Sequence, residues 1–418
     1  MKNIKISLLV VLVAISQMGN AQDNAGLKLP TGFKATLFAD TIGSARHIAI
    51  TANGVLFAKL MYPNKAGNSI IRLEDQNQDG VADNIKGWAK YGGTGIFVQG
   101  KNLYATSDNE VFLYQLNEKD EVLNPLSPKT IVKGLLAKNQ HASKSITLDG
   151  QNNVYVNIGA YSNACQEKDR MKGSKGMMPC PILDSAGGIW KFKGTKENQV
   201  YGDGIRYATG LRNVVGLDWN KQTNSLFVTQ HGRDQLNSFY PEYYSSEQSA
   251  ELPAETMYEM KEGDDAGWPY VYYDPYQKKK ILSPEYGGDG KKVAGEKAID
   301  PVAFFPAHMA PNALLFYTGN QFPEKYRNGA FIAFHGSWNR APLPQEGYFV
   351  AFVPFKNGKP SGDWEIFANG FAGLSGDEKI MNPRKAKARP CGLAQGPDGS
   401  LYVSDDSKGA IFKISYSK

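Results

Sequence analysis

Short runs of alternating apolar and polar residues fill this chain. Six times such a run breaks at a Gly, Asn or Asp turn and then resumes. The pairs are HIAITANGVLFAKL, turning at Asn53-Gly54, GIFVQGKNLYAT at Gly100, and SITLDGQNNVYVNIG at Asp149-Gly150. VGLDWNKQTNSLFVTQHG turns around Asn220, ALLFYTGNQFPEKYRNGAFIAFHG carries an insertion before Asn328-Gly329, and GLAQGPDGSLYVSDD turns at Asp398-Gly399. Period-two alternation on both sides of a turn predicts a β-hairpin. Six such hairpins predict a radial repeat, in which each blade buries its faces against its neighbours. The fold class is therefore all-β, a six-bladed β-propeller, over residues 22–418. A β-sandwich with long loops is the alternative, but nothing in a sandwich requires six similar hairpins.

The copies begin roughly 50 to 100 residues apart, above the ~40–50 of a minimal blade. The excess is loop insertion, and the largest insertion lies between residues 232 and 310. Two further alternating runs bracket the chain, FKATLFA from Phe33 and AIFKISY ending at Tyr416. They are predicted to share one blade and so close the ring without leaving open edges. No long amphipathic helix stands out.

Composition adds the compartment. Lys2 and Lys5 precede an apolar stretch from Ile6 to Ile15, and Gly19-Asn20-Ala21 offers small residues for cleavage before Gln22. This predicts a secretory signal over residues 1–21, too short to span a bilayer, and a periplasmic or secreted mature protein without a membrane anchor. The alternative for this stretch is a buried N-terminal strand. The formal charge of +6 falls to about +4 once those lysines are removed. So weak a balance gives no nucleic-acid footprint, and Lys278, Lys279 and Lys280 read as a solvated face. Of the three cysteines, Cys165 and Cys180 flank one glycine-containing polar segment and are expected to be bonded in an oxidising compartment, while Cys391 in a strand-like run is expected to be a buried thiol. No CxxCH motif is present, so no c-type haem is carried on this chain, and no Cys/His spacing suits structural zinc.

Ligands of propellers sit at one mouth of the central channel, near the residue that precedes each inner strand. Read in that register, the chain supplies Arg46 and His47, then Gly92-Gly93-Thr94-Gly95, then His141, Ser143 and Lys144. It continues with Arg212 and Asn213, His308 and Asn312, and Lys387 and Arg389. The hairpin ends add His231-Gly232-Arg233-Asp234 and His335-Gly336-Ser337-Trp338-Asn339-Arg340. All five histidines fall in these places. The set is cationic and aromatic with few carboxylates, which argues against a lactonase-like metal hydrolase and for a flat anion. Arginine forks pair with carboxylates, and Trp338 offers a stacking face.

The runs GLRNVVGLDWN, TQHGRDQL, GDDAGWPYVYYD, FIAFHGSWNRAP and RPCGLAQGPDGSLYVSDD, in this order over nearly the whole chain after the signal, resemble the glucose/sorbosone dehydrogenase family. The style is that of its L-sorbosone dehydrogenase-like branch and of the PQQ domain of fungal pyranose dehydrogenases. The resemblance implies a propeller that carries pyrroloquinoline quinone (PQQ) and Ca2+. It implies oxidation of a sugar, or of a sugar-derived alcohol or aldehyde, by hydride transfer to the quinone. It further implies that Arg212 and Asn213 contact the quinone, that His141 is the general base, and that the backbone carbonyls of Gly232 and Arg233 hold the calcium. The glucose enzymes have proline where Arg233 stands. PQQ is a planar quinone with three carboxylates, for which Arg46, Arg212, Lys387 and Arg389 are the expected counter-charges. His231, Arg233, His335, Trp338 and Asn339 complete the expected cofactor set. Because the chain has no haem motif, electrons must leave to an external acceptor, a quinone or a cytochrome.

A second calcium loop is suggested by DQNQDGVAD, in which Asp75, Asn77, Asp79 and Asp83 occupy the liganding positions of an EF-like start. Position twelve is Lys86 rather than a bidentate Glu, so a plain Asx-turn loop competes with that reading. A non-catalytic propeller that binds glycan or protein is the remaining alternative. It would have no need to keep His141, Arg212 and Arg389 together.

Overall fold

Each of the six hairpins becomes the inner half of a blade. The computed structural model describes residues 24–295, 297–376 and 378–417, so the signal expected over residues 1–21 lies outside the described residues. Blade 1 runs outward from Ala45–Ile50 through Leu56–Leu60 and Ile70–Glu74 to Asn84–Trp88. The inner strands of blades 2 to 6 are Ile96–Gln99, Ile146–Leu148, Val214–Asn220, Pro311–Phe316 and Pro390–Gln395. Each inner strand touches the next around the axis, and the sixth returns to the first. The ring closes as expected, because Phe33–Ala39 pairs antiparallel with Ile411–Tyr416 in blade 6, with Phe33 opposite Tyr416.

An apolar cluster fills every interface between blades, for example Phe331, Phe352 and Val403 between blades 5 and 6 and Val154, Trp190 and Ile131 between blades 3 and 2. Strands packed on both faces lose the alternation of a half-exposed sheet. Ala330–Phe334 and Asn153–Ile158 are buried at every position. The inner strands crowd so closely that a Cβ on Gly392 would stand 2.4 Å from the Arg46 carbonyl oxygen of the neighbouring blade.

Two features were not legible beforehand. The outer edges of blades 2 and 3 each gain a short fifth strand running parallel, Gln199–Val200 beside Lys129–Lys133 and Asp264–Asp265 beside Ile205–Thr209. The insertion between residues 232 and 310 holds a helix at Ser246–Glu251 and a separate hairpin of Val271–Asp274 with Lys279–Leu282. No described helix is long and apolar enough to cross a membrane.

Candidate functional site

Backbone geometry at the mouth is irregular where the chemistry gathers. The inner strands of blades 1, 4, 5 and 6 all lose register at their mouth ends, between Ala45 and Ile48, Val214 and Leu217, Pro311 and Ala313, and Pro390 and Gly392. Such bulges re-aim side chains, and they place Arg46, His47 and Asn312 at the channel. His141, His308 and Ala310 have left-handed φ values of 53°, 64° and 57°, a conformation that costs energy in residues with a Cβ and concentrates at functional sites.

A cavity of about 300 Å³ opens here. Of the residues expected from the sequence it gathers His141, Arg212, Asn213, His231, Trp338 and Asn339, with Gly232. Trp338 is 61% exposed and stands at the rim with its ring free for a ligand. Arg212 is held firmly: Nη1 donates to the Gly232 carbonyl at 2.8 Å, and Nη2 donates to Asp234 at 2.8 Å and to Asn163 at 3.1 Å. Its Nε is buried without a partner. His141 Nδ1 lies on the Ala160 carbonyl, which fixes the ring proton on Nδ1 and leaves Nε2 as the acceptor. Gly159 makes room for this, since a Cβ there would stand 2.6 Å from His141 Cβ and 3.0 Å from Asn213 Oδ1.

Burial and, after it, the Arg212 charge pull the His141 pKa down to about 3. The same two causes, in the same order, bring His231 to about 3. Both rings are therefore neutral at physiological pH. Burial works to raise Asp234, but the neighbouring Arg212 and Arg170 charges outweigh it and hold the carboxyl down at about 2. Glu255, whose carboxylate takes the amides of Gly232 and Ala310 at 2.9 and 3.3 Å, is pushed by burial up to about 7.

A second polar cluster lies between blades 1, 5 and 6. Asp406 accepts His335 Nε2 at 2.7 Å and Arg46 Nη1 at 2.6 Å, and Arg389 donates to the carbonyls of His335 and Gly336. Lys387 is exposed, with its methylenes over Gly373.

Arg233 is not brought to the cavity. Its side chain turns away and ion-pairs with buried Glu285. The Asp75–Asp83 loop lies between the third and fourth strands of blade 1, with its carboxylates on its own backbone. Asp75 takes the amides of Asp79 and Gly80, and Asp83 those of Gln76 and Asn77. Among the described residues no group of three or more His, Cys, Asp or Glu is placed to hold a metal. Cys165 and Cys180 are bonded, and Cys391 is a buried thiol.

Sequence reasoning missed four lining residues, Gln140, Arg170, Glu255 and Ala310, and placed Asp234 and His308 at the mouth without giving them a role. Asp234 stood in plain view in the HGRD run. Arg170 reaches the cavity from the disulfide loop, and Glu255 begins the strand Glu255–Met260 with no motif to mark it.

A family model described as TrAA12-like matches residues 27–417. An uncharacterised protein of Borreliella burgdorferi is 27% identical over 431 residues, covering 100% of this chain and 98% of its own. The pyrroloquinoline quinone-dependent pyranose dehydrogenase of Coprinopsis cinerea is 26% identical over 280 residues, 58% of this chain and 36% of that protein. Among solved structures, the calcium structure of the family AA12 carbohydrate-active enzyme of Trichoderma reesei superimposes with a TM-score of 0.73 at 20% identity, covering 94% of this chain and 97% of that one. At that identity the likeness establishes the fold.

Proposed function

Because the chain belongs to the TrAA12-like family, we propose that it is a PQQ-dependent sugar dehydrogenase, oxidising a sugar or sugar-derived alcohol or aldehyde. The observation that carries this reading is the pairing, in one cavity, of a neutral His141 with an anchored Arg212. PQQ fits the residues present: the cavity offers the Arg212 and Arg170 cations to its carboxylates, and Trp338 offers a face to its ring. Arg212 and Asn213 would hold it, with Arg46, Arg389 and Lys387 as more distant counter-charges. When bound, it supplies an electrophilic carbonyl carbon that takes hydride.

The chain's own residues do the rest. His141 Nε2 takes the proton of the substrate hydroxyl, or of an aldehyde hydrate, which a ring already neutral at pH 7 can do without first losing a proton. Its Nδ1 proton stays on the Ala160 carbonyl throughout. Arg212, fixed by Asp234 and Asn163, presents a preorganised positive charge where negative charge develops. Trp338 closes the open side against water. Calcium is proposed at the Gly232 and Arg233 carbonyls. The first already accepts Arg212 Nη1, so an ion there must share that contact, and nothing above depends on it. Export by the residue 1–21 signal and electron delivery to a separate quinone or cytochrome complete the proposal.

The test is to add PQQ and calcium chloride to the purified protein, follow the quinone absorbance, and assay a panel of aldoses and polyols with an artificial acceptor. Saturable binding with turnover on at least one sugar is expected. Absence of binding would overturn the reading.

A further inference from the structure

A small space lies behind the wall that Arg212, His231 and Gly232 present to the central cavity, and those three residues line both. Its volume is about 20 Å³. That is room for about one water-sized occupant. Arg233, Lys280, Gln230 and Ser283 add to its polar wall, with the hydroxyl residues Thr256 and Tyr258 beside them.

Two properties set this space apart from ordinary packing. The first is charge. Arg212, Arg233 and Lys280 are 4%, 4% and 7% exposed, and no carboxylate lines the space with them. Their counter-charges lie off the wall, Asp234 on Arg212 and Glu285 on Arg233. The second is a surplus of donors. Arg212 Nε and both Nε and Nη2 of Arg233 are buried side-chain donors with no protein acceptor; among side-chain acceptors only Glu285 Oε1, on the carboxylate that pairs with Arg233 and outside the wall, is left unpartnered beside them. Buried donors on charged groups are normally satisfied, so the occupant must accept. A water accepts from two donors at most and must find room for its own protons. A monatomic anion accepts from every direction and carries the charge that three cations favour.

We propose that this space is a halide site, occupied by chloride, built into the back of the wall that carries Arg212. The ion completes the hydrogen bonding of Arg212 and Arg233 on their buried side. It also places a negative charge against Arg212 opposite to the cavity.

The test uses the parent protein and needs no cofactor. Crystals grown in bromide are expected to show one anomalous peak in this space. Thermal melts are expected to show a saturable upward shift in low-millimolar chloride that gluconate at equal ionic strength does not give. The double variant Arg233→Met/Glu285→Gln, which removes the pair together and orphans neither partner, is expected to lose that chloride-dependent shift. If it does not fold, Lys280→Met serves, with a weakened shift expected. A space filled by water in bromide-grown crystals would overturn the proposal. So would identical melts in chloride and gluconate. A peak seen only at molar bromide, with no saturable shift, would mean an adventitious ion only and would equally overturn it.

Discussion

Arg212 Nη2 stands 2.8 Å from Asp234 Oδ2, with both side chains almost wholly removed from solvent. That carboxylate also receives Arg170 at 3.2 Å and, through Oδ1, the Asn339 amide at 2.8 Å. One acidic residue thus holds three lining side chains from three separate loops. A buried pair of this kind costs most when one partner is removed, about 3–5 kcal/mol, because the other charge is left uncompensated. Asp234→Asn keeps the shape and some hydrogen bonds, so a loss toward the lower end, about 3 kcal/mol, is expected in urea unfolding. Turnover of the proposed reaction should fall with it, since Arg212 then keeps only the neutral anchors Gly232 and Asn163 and loses its counter-charge. Parental stability in the Asp234→Asn variant would show that the pair does not anchor the wall.

Gly159 offers a cleaner perturbation of His141. A methyl group there meets His141 Cβ at 2.6 Å and the His141 carbonyl at 2.7 Å, closer than van der Waals contact allows. Gly159→Ala should displace the histidine while leaving every charge of the site in place. The expected outcome is a fall in kcat of about 10²-fold, as a misplacement near 1 Å produces, with quinone binding changed far less. Equal losses in binding and kcat would locate the damage in the cofactor cradle instead.

How much of this the sequence carried follows from what kind of signal each part leaves. The six hairpins and the closing pair Phe33–Ala39 with Ile411–Tyr416 were readable because period-two alternation and turn residues are local. His141, Arg212, Asn213, His231, Trp338 and Asn339 were readable because they share one register with respect to their hairpins. Arg233 shares that register and still points elsewhere, because the hairpin end bends and Glu285, 52 residues further on, captures it. Glu255, Arg170 and the Asp406 bridge between Arg46 and His335 depend on how distant loops meet. No spacing in the chain encodes those meetings.

The Cys165–Cys180 bond closes a separation of 15 residues. The loop carries Arg170, whose side chain reaches Asp234 and Gln235. By loop-closure entropy a ring of this size stabilises the fold by about 3 kcal/mol. Cys165→Ser/Cys180→Ser should lose about that much in urea unfolding. Hydrogen exchange should increase across residues 165–180 and at Arg170. Unchanged exchange there would mean that the Tyr270 hydroxyl, which accepts the Cys180 amide, and the Tyr286 hydroxyl, which donates to the Ala164 carbonyl, hold the loop unaided.

The histidines give the pH dependence its sign. In the folded protein His47 titrates at about 4 and His141 and His231 at about 3, in each case first because burial disfavours the charged ring. Unfolded histidines take up protons near pH 6.5. Between those values the unfolded chain binds more protons, so the histidine contribution is intact above about pH 6.5 and is lost as pH falls below it. Glu255 and Asp218 act oppositely. Burial raises both to about 7, so they favour the folded state at low pH and lose that contribution as pH climbs from about 4.5 to 7. The parent protein should therefore lose stability from pH 6.5 to 5, where five histidines, all lowered on folding, outweigh two raised carboxylates. His141→Ala removes one histidine and should flatten that slope by about one proton, or about 1.4 kcal/mol per pH unit. The same variant should cut turnover of the proposed reaction by about 10²–10⁴-fold. Histidine NMR of the apo protein checks the assignment directly, the His141 ring signals being expected to stay flat from pH 8 to 5. A midpoint for His141 near 6.5 would mean an open, solvated ring, and would remove both the predicted slope and the reason for choosing this histidine as the base.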